Sequence, residues 1–126
     1  MYTYLSVALG GALGSMARYA TGVYVGRWLG TAFPWGTLLI NIVGSFLIGA
    51  FAESFALRWD VSQSTRVFFV VGICGGYTTF STFSLDIVTL INRGQMLTAG
   101  VYIVASVALG VLALYGGLHA MRLIFA

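Results

Sequence analysis

The chain has no lysine, one proline, one cysteine and three acidic residues among its 126 positions. A lone cysteine, Cys74, cannot close an intramolecular disulfide, and no cluster of His, Cys and carboxylates accompanies it to bind a transition metal. Only 7% of residues are charged, against about a quarter in soluble domains, which excludes a water-soluble domain. Disorder is excluded too, because it requires polarity that is missing here. No nucleophile stands beside a base, no phosphate-binding loop is present, and the six basic residues are scattered arginines. Neither an enzyme nor a nucleic-acid partner is expected.

What is present is apolar. Hydrophobic residues make up 60% of the chain and its mean hydropathy is +0.97, so the partner it is built for is a lipid bilayer. A bilayer core of about 30 Å takes about 20 helical residues, which leaves room for four spans and three short loops. The charges sit where the spans end. They predict a single four-helix transmembrane domain over residues 1–126, with spans at about 4–25, 34–57, 67–91 and 97–121. Pro34 is placed to open the second helix near Trp35. The most polar run lies between Arg58 and Arg66, and Asn92-Arg93-Gly94-Gln95 forms the last turn. The first hydrophobic segment lacks a basic leader and is too long for a signal peptide, so it is read as a retained helix.

Four spans put both termini and the 58–66 loop on one side, with Arg58, Arg66 and Arg122. The other side holds Arg27, Arg93 and the end-proximal Arg18. Orientation follows an imbalance of basic residues between short loops, and here the two sides are equal. The balance predicts insertion in both orientations; the alternative is a small bias set by the side to which Arg18 reaches. Four short helices cannot enclose a polar pathway and also bury their own small-residue faces, so an oligomer is expected. Gly10 with Gly14, Gly22 with Gly26, Gly72 with Gly76, and Ser45 with Gly49 are spaced for close helix contact within or between subunits.

The third segment is the most informative. From Gly72 to Ser84 an apolar run gives way, at mid-depth, to Gly75-Gly76 and five hydroxyl residues: Thr78, Thr79, Ser81, Thr82 and Ser84. Paired glycine is a poor helix former, and the expectation is a helix that opens there. Its first half then ends in free carbonyls suited to a cation, and its second begins with free N–H groups suited to an anion. An intact helix with packing glycines and back-bonded hydroxyls is the alternative. Phe80 and Phe83 share a face, either as core or as ring edges turned toward an anion.

Two further helices carry polar stripes, Thr37-Asn41-Ser45 and Thr98-Tyr102-Ser106-Gly110. Asn41 is the sharpest of these residues. An amide deep in a membrane is costly without a partner; it serves either a helix-to-helix hydrogen bond or a pathway. Every deep group in the stripes is neutral, which argues against a proton-coupled pump. Asp86, deeper than Glu53 or His119, requires a partner.

The segment Gly75-Gly76-Tyr-Thr-Thr-Phe80-Ser-Thr-Phe83-Ser84 resembles the GG-x-[ST]-T-F-S-T-F-S signature of the Fluc (CrcB) fluoride channels. Gly36-Thr-Leu-Leu-Ile-Asn41-Ile-Val-Gly44 resembles their G-T-L-x-x-N-x-x-G motif, and Arg18 lies in a similar G-x-x-x-R context. The resemblance implies an all-α protein of the bacterial inner membrane, an antiparallel dual-topology homodimer with two fluoride pores. It implies passive export of fluoride from the cytoplasm, which reduces fluoride toxicity. By motif, Phe80 and Phe83 become the pore phenylalanines and Asn41 the pore amide; Thr37, Ser81, Thr82, Ser84, Tyr102 and Ser106 line or border the path. Main-chain carbonyls of Gly75 and Thr78 from both subunits would hold a structural sodium ion. Asp86 stands where the family usually has glutamate, and Gly110 and Leu114 replace hydroxyls found in some relatives. A small four-helix proton-coupled multidrug exporter shares the size and dual insertion, but needs a glutamate in the first helix, where this chain carries only Arg18.

Overall fold

The computed structural model describes residues 2–58 and 60–125, and among these the regular structure is helical throughout. Trp59, within the predicted polar loop, lies outside the described residues. Helix α1 covers Tyr2–Leu29 and α2 covers Trp35–Leu57. A third rod is composite: α3 (Gln63–Val67), a π-helical stretch Phe68–Cys74, the short α4 (Gly75–Tyr77) and, after an interruption, α5 (Phe80–Asn92). Helix α6 covers Met96–Phe125. Three of the four rods, Trp35–Leu57, Gln63–Asn92 and Met96–Phe125, are long and apolar enough to cross a membrane. The 28 residues of α1 have the length, but Arg18 and Arg27 interrupt its apolar character.

The rod ends follow from local chemistry. Gly30 and Gly94 both adopt φ +78°, a left-handed conformation open to glycine at little cost. At Gly94 this closes a Schellman motif, with Gly94 N–H donating to the Ile91 carbonyl and Gln95 N–H to that of Leu90, each at 2.9 Å. Pro34 is the N-cap of α2, so the second helix does start at Trp35. Ser62 caps α3 by accepting from Thr65 N–H at 3.3 Å.

Packing depends on missing side chains. A β-carbon on Gly10 would lie 2.5 Å from the Phe68 carbonyl oxygen, and one on Gly72 would lie 2.8 Å from Gly10 Cα. Gly14 similarly abuts the Ile73 carbonyl, and Gly76 the Gly11 carbonyl. The two glycine pairs of the first and third rods therefore meet each other within one subunit. Gly49 and Gly117 do the same between α2 and α6, against the Leu114 and Phe46 carbonyls. Gly22 and Gly26 have open space where a β-carbon would stand. A core of Leu38, Leu90, Ala99 and Tyr102 fills the α2, α5 and α6 junction, with Phe33, Ile42, Phe83 and Ile87 packed on it.

The interruption in the third rod is at Thr78-Thr79, three residues beyond the glycine pair where it was expected. Thr78 (φ −79°, ψ 158°) and Thr79 (φ −151°, ψ 119°) are extended, while Gly75 keeps helical angles (φ −63°, ψ −37°). Helix propensity pointed to the glycines, but Gly72 and Gly76 must stay in register to seat against α1. Thr78 keeps the last ordinary helical bond and doubles it with its hydroxyl, and Thr79 supplies a substitute for the next one. Thr78 N–H and Oγ1 both donate to the Cys74 carbonyl, at 3.0 and 2.9 Å, and Thr79 Oγ1 accepts from Thr82 N–H at 3.2 Å as the N-cap of α5.

Candidate functional site

The interruption is held by α2. Asn41 Nδ2 donates to the Thr79 carbonyl at 3.1 Å, and Asn41 Oδ1 accepts from Thr79 N–H at 2.9 Å, so one amide satisfies both main-chain groups of one extended residue. Thr79 is 7% exposed, and its main-chain groups would otherwise be buried without partners. One turn along α2, a β-carbon on Gly44 would overlap the Thr78 methyl, so that face is shaped to receive the break.

The break leaves two kinds of free group. In an unbroken helix the N–H groups of Thr79, Phe80, Ser81 and Thr82 would go to the carbonyls of Gly75, Gly76, Tyr77 and Thr78. Here Thr79 N–H goes to Asn41 and Thr82 N–H to the Thr79 hydroxyl. The carbonyls of Gly75 and Thr78 thus lose their helical donors to side chains, and Gly75 is on an exposed face. Such neutral, hard oxygens at a helix C-terminus fit a monovalent cation by dipole and by donor type. Among the described residues no group of three or more His, Cys, Asp or Glu side chains comes together to hold a metal ion. At the other side of the break, Phe80 and Ser81 N–H groups begin α5 with the positive end of its dipole.

The aromatic pair runs from this point inward. The Phe80 ring is 78% exposed and lies 5.8 Å from that of Phe83, which lies 5.1 Å from the Tyr102 ring. Tyr102 is fully buried, and its hydroxyl donates to Asp86 Oδ2 at 3.0 Å, which supplies the partner Asp86 required. Thr37 is buried, Ser81 and Thr82 are exposed, and Ser84 Oγ donates to the Phe80 carbonyl at 3.1 Å. Ser106 Oγ is buried without a hydrogen-bond partner. An open cleft of about 630 Å³ reaches this region from one end of the bundle, and Arg18, Thr37, Thr79, Thr82, Asp86 and Arg93 line it. Arg18 and Arg93 thus face one space, while at the opposite end Arg122 Nε pairs with Glu53 Oε2 at 3.0 Å and Arg58 Nη2 donates to the Phe125 carbonyl.

Thr79 is the residue that sequence reasoning undervalued. It is one hydroxyl among five in the stretch from Gly72 to Ser84, and the signal that singles it out is a threonine just after the expected break, where an N-cap for the second half-helix is needed. The bond between the Thr21 and Tyr77 hydroxyls, 3.0 Å across α1 and α4, carried no sequence signal at all.

A bundle of apolar helices with one rod interrupted and clasped by a half-buried amide, beside a cleft lined by hydroxyls, two arginines and Asp86, defines a membrane protein with a discontinuous helix of the transport type. The chain belongs to the family described as CrcB-like protein, Camphor Resistance (CrcB), which matches residues 5–118. It is 60% identical over 120 residues to a protein of Nitrobacter winogradskyi named fluoride-specific ion channel FluC, covering 95% of each chain. Proteins of the same name from Rhizobium etli and Rhodospirillum centenum are 51% and 48% identical, the first covering 92% of this chain and 93% of its own, the second 97% of each. All three are named as ion channels and not as enzymes.

Proposed function

We propose that this chain is a fluoride channel that lets the anion leave the bacterial cytoplasm down its electrochemical gradient. The observation that carries the reading is the clasped interruption at Thr78-Thr79, which collects neutral donors at one depth: the Phe80 and Ser81 N–H groups, the second N–H of Asn41 and the hydroxyls around them. A small anion with a strong hydration shell needs such donors in place of water, and neutral ones let it go again. The relatives named as fluoride-specific channels support the choice of ion. Asn41, Phe80 and Phe83 are the proposed contacts, with Thr37, Ser81, Thr82, Ser84, Tyr102 and Ser106 bordering the path. Arg18 and Arg93, across one cleft, draw anions to its mouth.

The working unit is an antiparallel, dual-topology homodimer of four-span subunits in the inner membrane, with two pores. In support, Phe80 is largely uncovered in the single chain, and the basic residues are equally divided between the two ends. The Gly75 and Thr78 carbonyls of both subunits hold a central sodium ion, which supplies fixed positive charge between the pores. Reconstituted in liposomes loaded with potassium fluoride, the protein is expected to release fluoride far faster than chloride, and a potassium ionophore should accelerate that release. Comparable chloride release, or indifference to the ionophore, overturns the reading.

A further inference from the structure

We infer that Asn41 is the positioning residue of the cation site: by taking the Thr79 N–H it keeps the Gly75 carbonyl free to face a cation. This rests on the sodium reading above and gives the amide a second role beyond contact with an anion. Thr79 N–H is the one donor that an unbroken helix would return to the Gly75 carbonyl. It sits at a residue only 7% exposed, so water is not an alternative acceptor, and without Asn41 Oδ1 the nearest way to satisfy it is to rebuild that helical bond. The two-point clasp also fixes both peptide planes that flank Thr79, because Oδ1 holds the N–H of the Thr78–Thr79 peptide while Nδ2 holds the carbonyl of the Thr79–Phe80 peptide. The Thr79 hydroxyl acts in parallel on the second carbonyl, keeping Thr82 N–H away from Thr78. Helix α2 therefore sets the geometry of oxygens that belong to another rod, and the amide placed for the anion also keeps the cation site open.

The test separates this role from general packing. The purified protein is unfolded by heat across a sodium series, with N-methylglucamine as the replacement cation, and the midpoint of sodium stabilisation is compared among variants. Asn41→Leu keeps the branched side-chain shape and loses the acceptor, so the midpoint should rise about tenfold, the equivalent of one lost hydrogen bond. Asn41→Asp keeps an acceptor for Thr79 N–H and should hold the midpoint at or below that of the parent, even where it conducts no fluoride. Where leucine is not accommodated, Asn41→Ala makes the same comparison. Thr21→Val, which removes the bond to Tyr77 near the break, should lower stability with the midpoint unchanged. An Asn41→Leu or Asn41→Ala protein with the parental sodium midpoint overturns the inference while the sodium site stands. A parent protein with no sodium response overturns the site itself, and this role with it.

Discussion

The Tyr102 hydroxyl donates to Asp86 Oδ2 at 3.0 Å, joining α6 to α5 through a side chain that is fully buried. A carboxylate in a membrane-spanning rod is expensive unless bonded, and this bond also fixes the Tyr102 ring between those of Phe33 and Phe83, 5.6 and 5.1 Å away. Tyr102→Phe keeps the ring and leaves the carboxyl group without its protein donor, facing only the cleft. It should lower stability by about 1 to 3 kcal/mol, read by thermal unfolding, whereas Asp86→Asn keeps an acceptor and should cost less. Equal losses in the two variants would show that the bond does not organise this junction.

The glycine contacts make a sharper contrast. Gly14→Ala drives a methyl group into the Ile73 carbonyl and Gly49→Ala into that of Leu114, where backbone cannot yield cheaply. Each should destabilise by about 1 to 3 kcal/mol. Gly100→Ala meets nothing within 4 Å and improves helix propensity, so it should be neutral or stabilising by up to about 1 kcal/mol. Thermal unfolding of the three variants checks the order.

Much of this was legible in advance because membrane helices are written in charge spacing. The ends of the rods follow Arg27, Pro34, Arg58 and Arg93, and the glycine pairs at 10, 14, 72 and 76 do meet. The break was legible in kind but not in position. Propensity alone favours Gly75-Gly76, and only the packing of Gly72 and Gly76 on α1 shows why the helix must hold there and yield at the threonines. Asn41 was visible as an amide in need of a partner, but its partner is main chain, which has no signature of its own. The π-helical turn Phe68–Cys74 was not expected, since it depends on the fit of one rod to another and not on local composition.

The two phenylalanines should separate path from packing. Phe80 is 78% exposed in the single chain, so Phe80→Ile leaves the packing within the subunit untouched and should lower stability only through the contact with a partner, by less than about 1 kcal/mol. Phe83 packs on Tyr102 and should cost about 1 kcal/mol as isoleucine. Both substitutions remove a polarised ring edge, and fluoride flux in liposomes should fall about tenfold or more in each, a barrier increase of about 1.4 kcal/mol. Loss of flux only in Phe83→Ile, in proportion to its lost stability, would return these rings to simple packing.

Dual insertion, proposed from the arginine balance, can be unbalanced by design. Asn92 and Gln95 are exposed in the last turn, and Asn92→Lys with Gln95→Lys adds two positive charges at one end without disturbing Gly94. Asp60→Lys with Gln63→Lys does the same at the other end, at exposed positions outside the Ser62 cap. Each pair should force its subunit into a single orientation, because basic residues in short loops are retained on the cytoplasmic side. A subunit that inserts only one way has no antiparallel partner. Either form alone should therefore give little fluoride efflux from cells or liposomes, and co-expression should restore it. Topology is read independently by labelling a cysteine placed at the end of α6. Full activity from either single-orientation form would mean that the working unit does not require both.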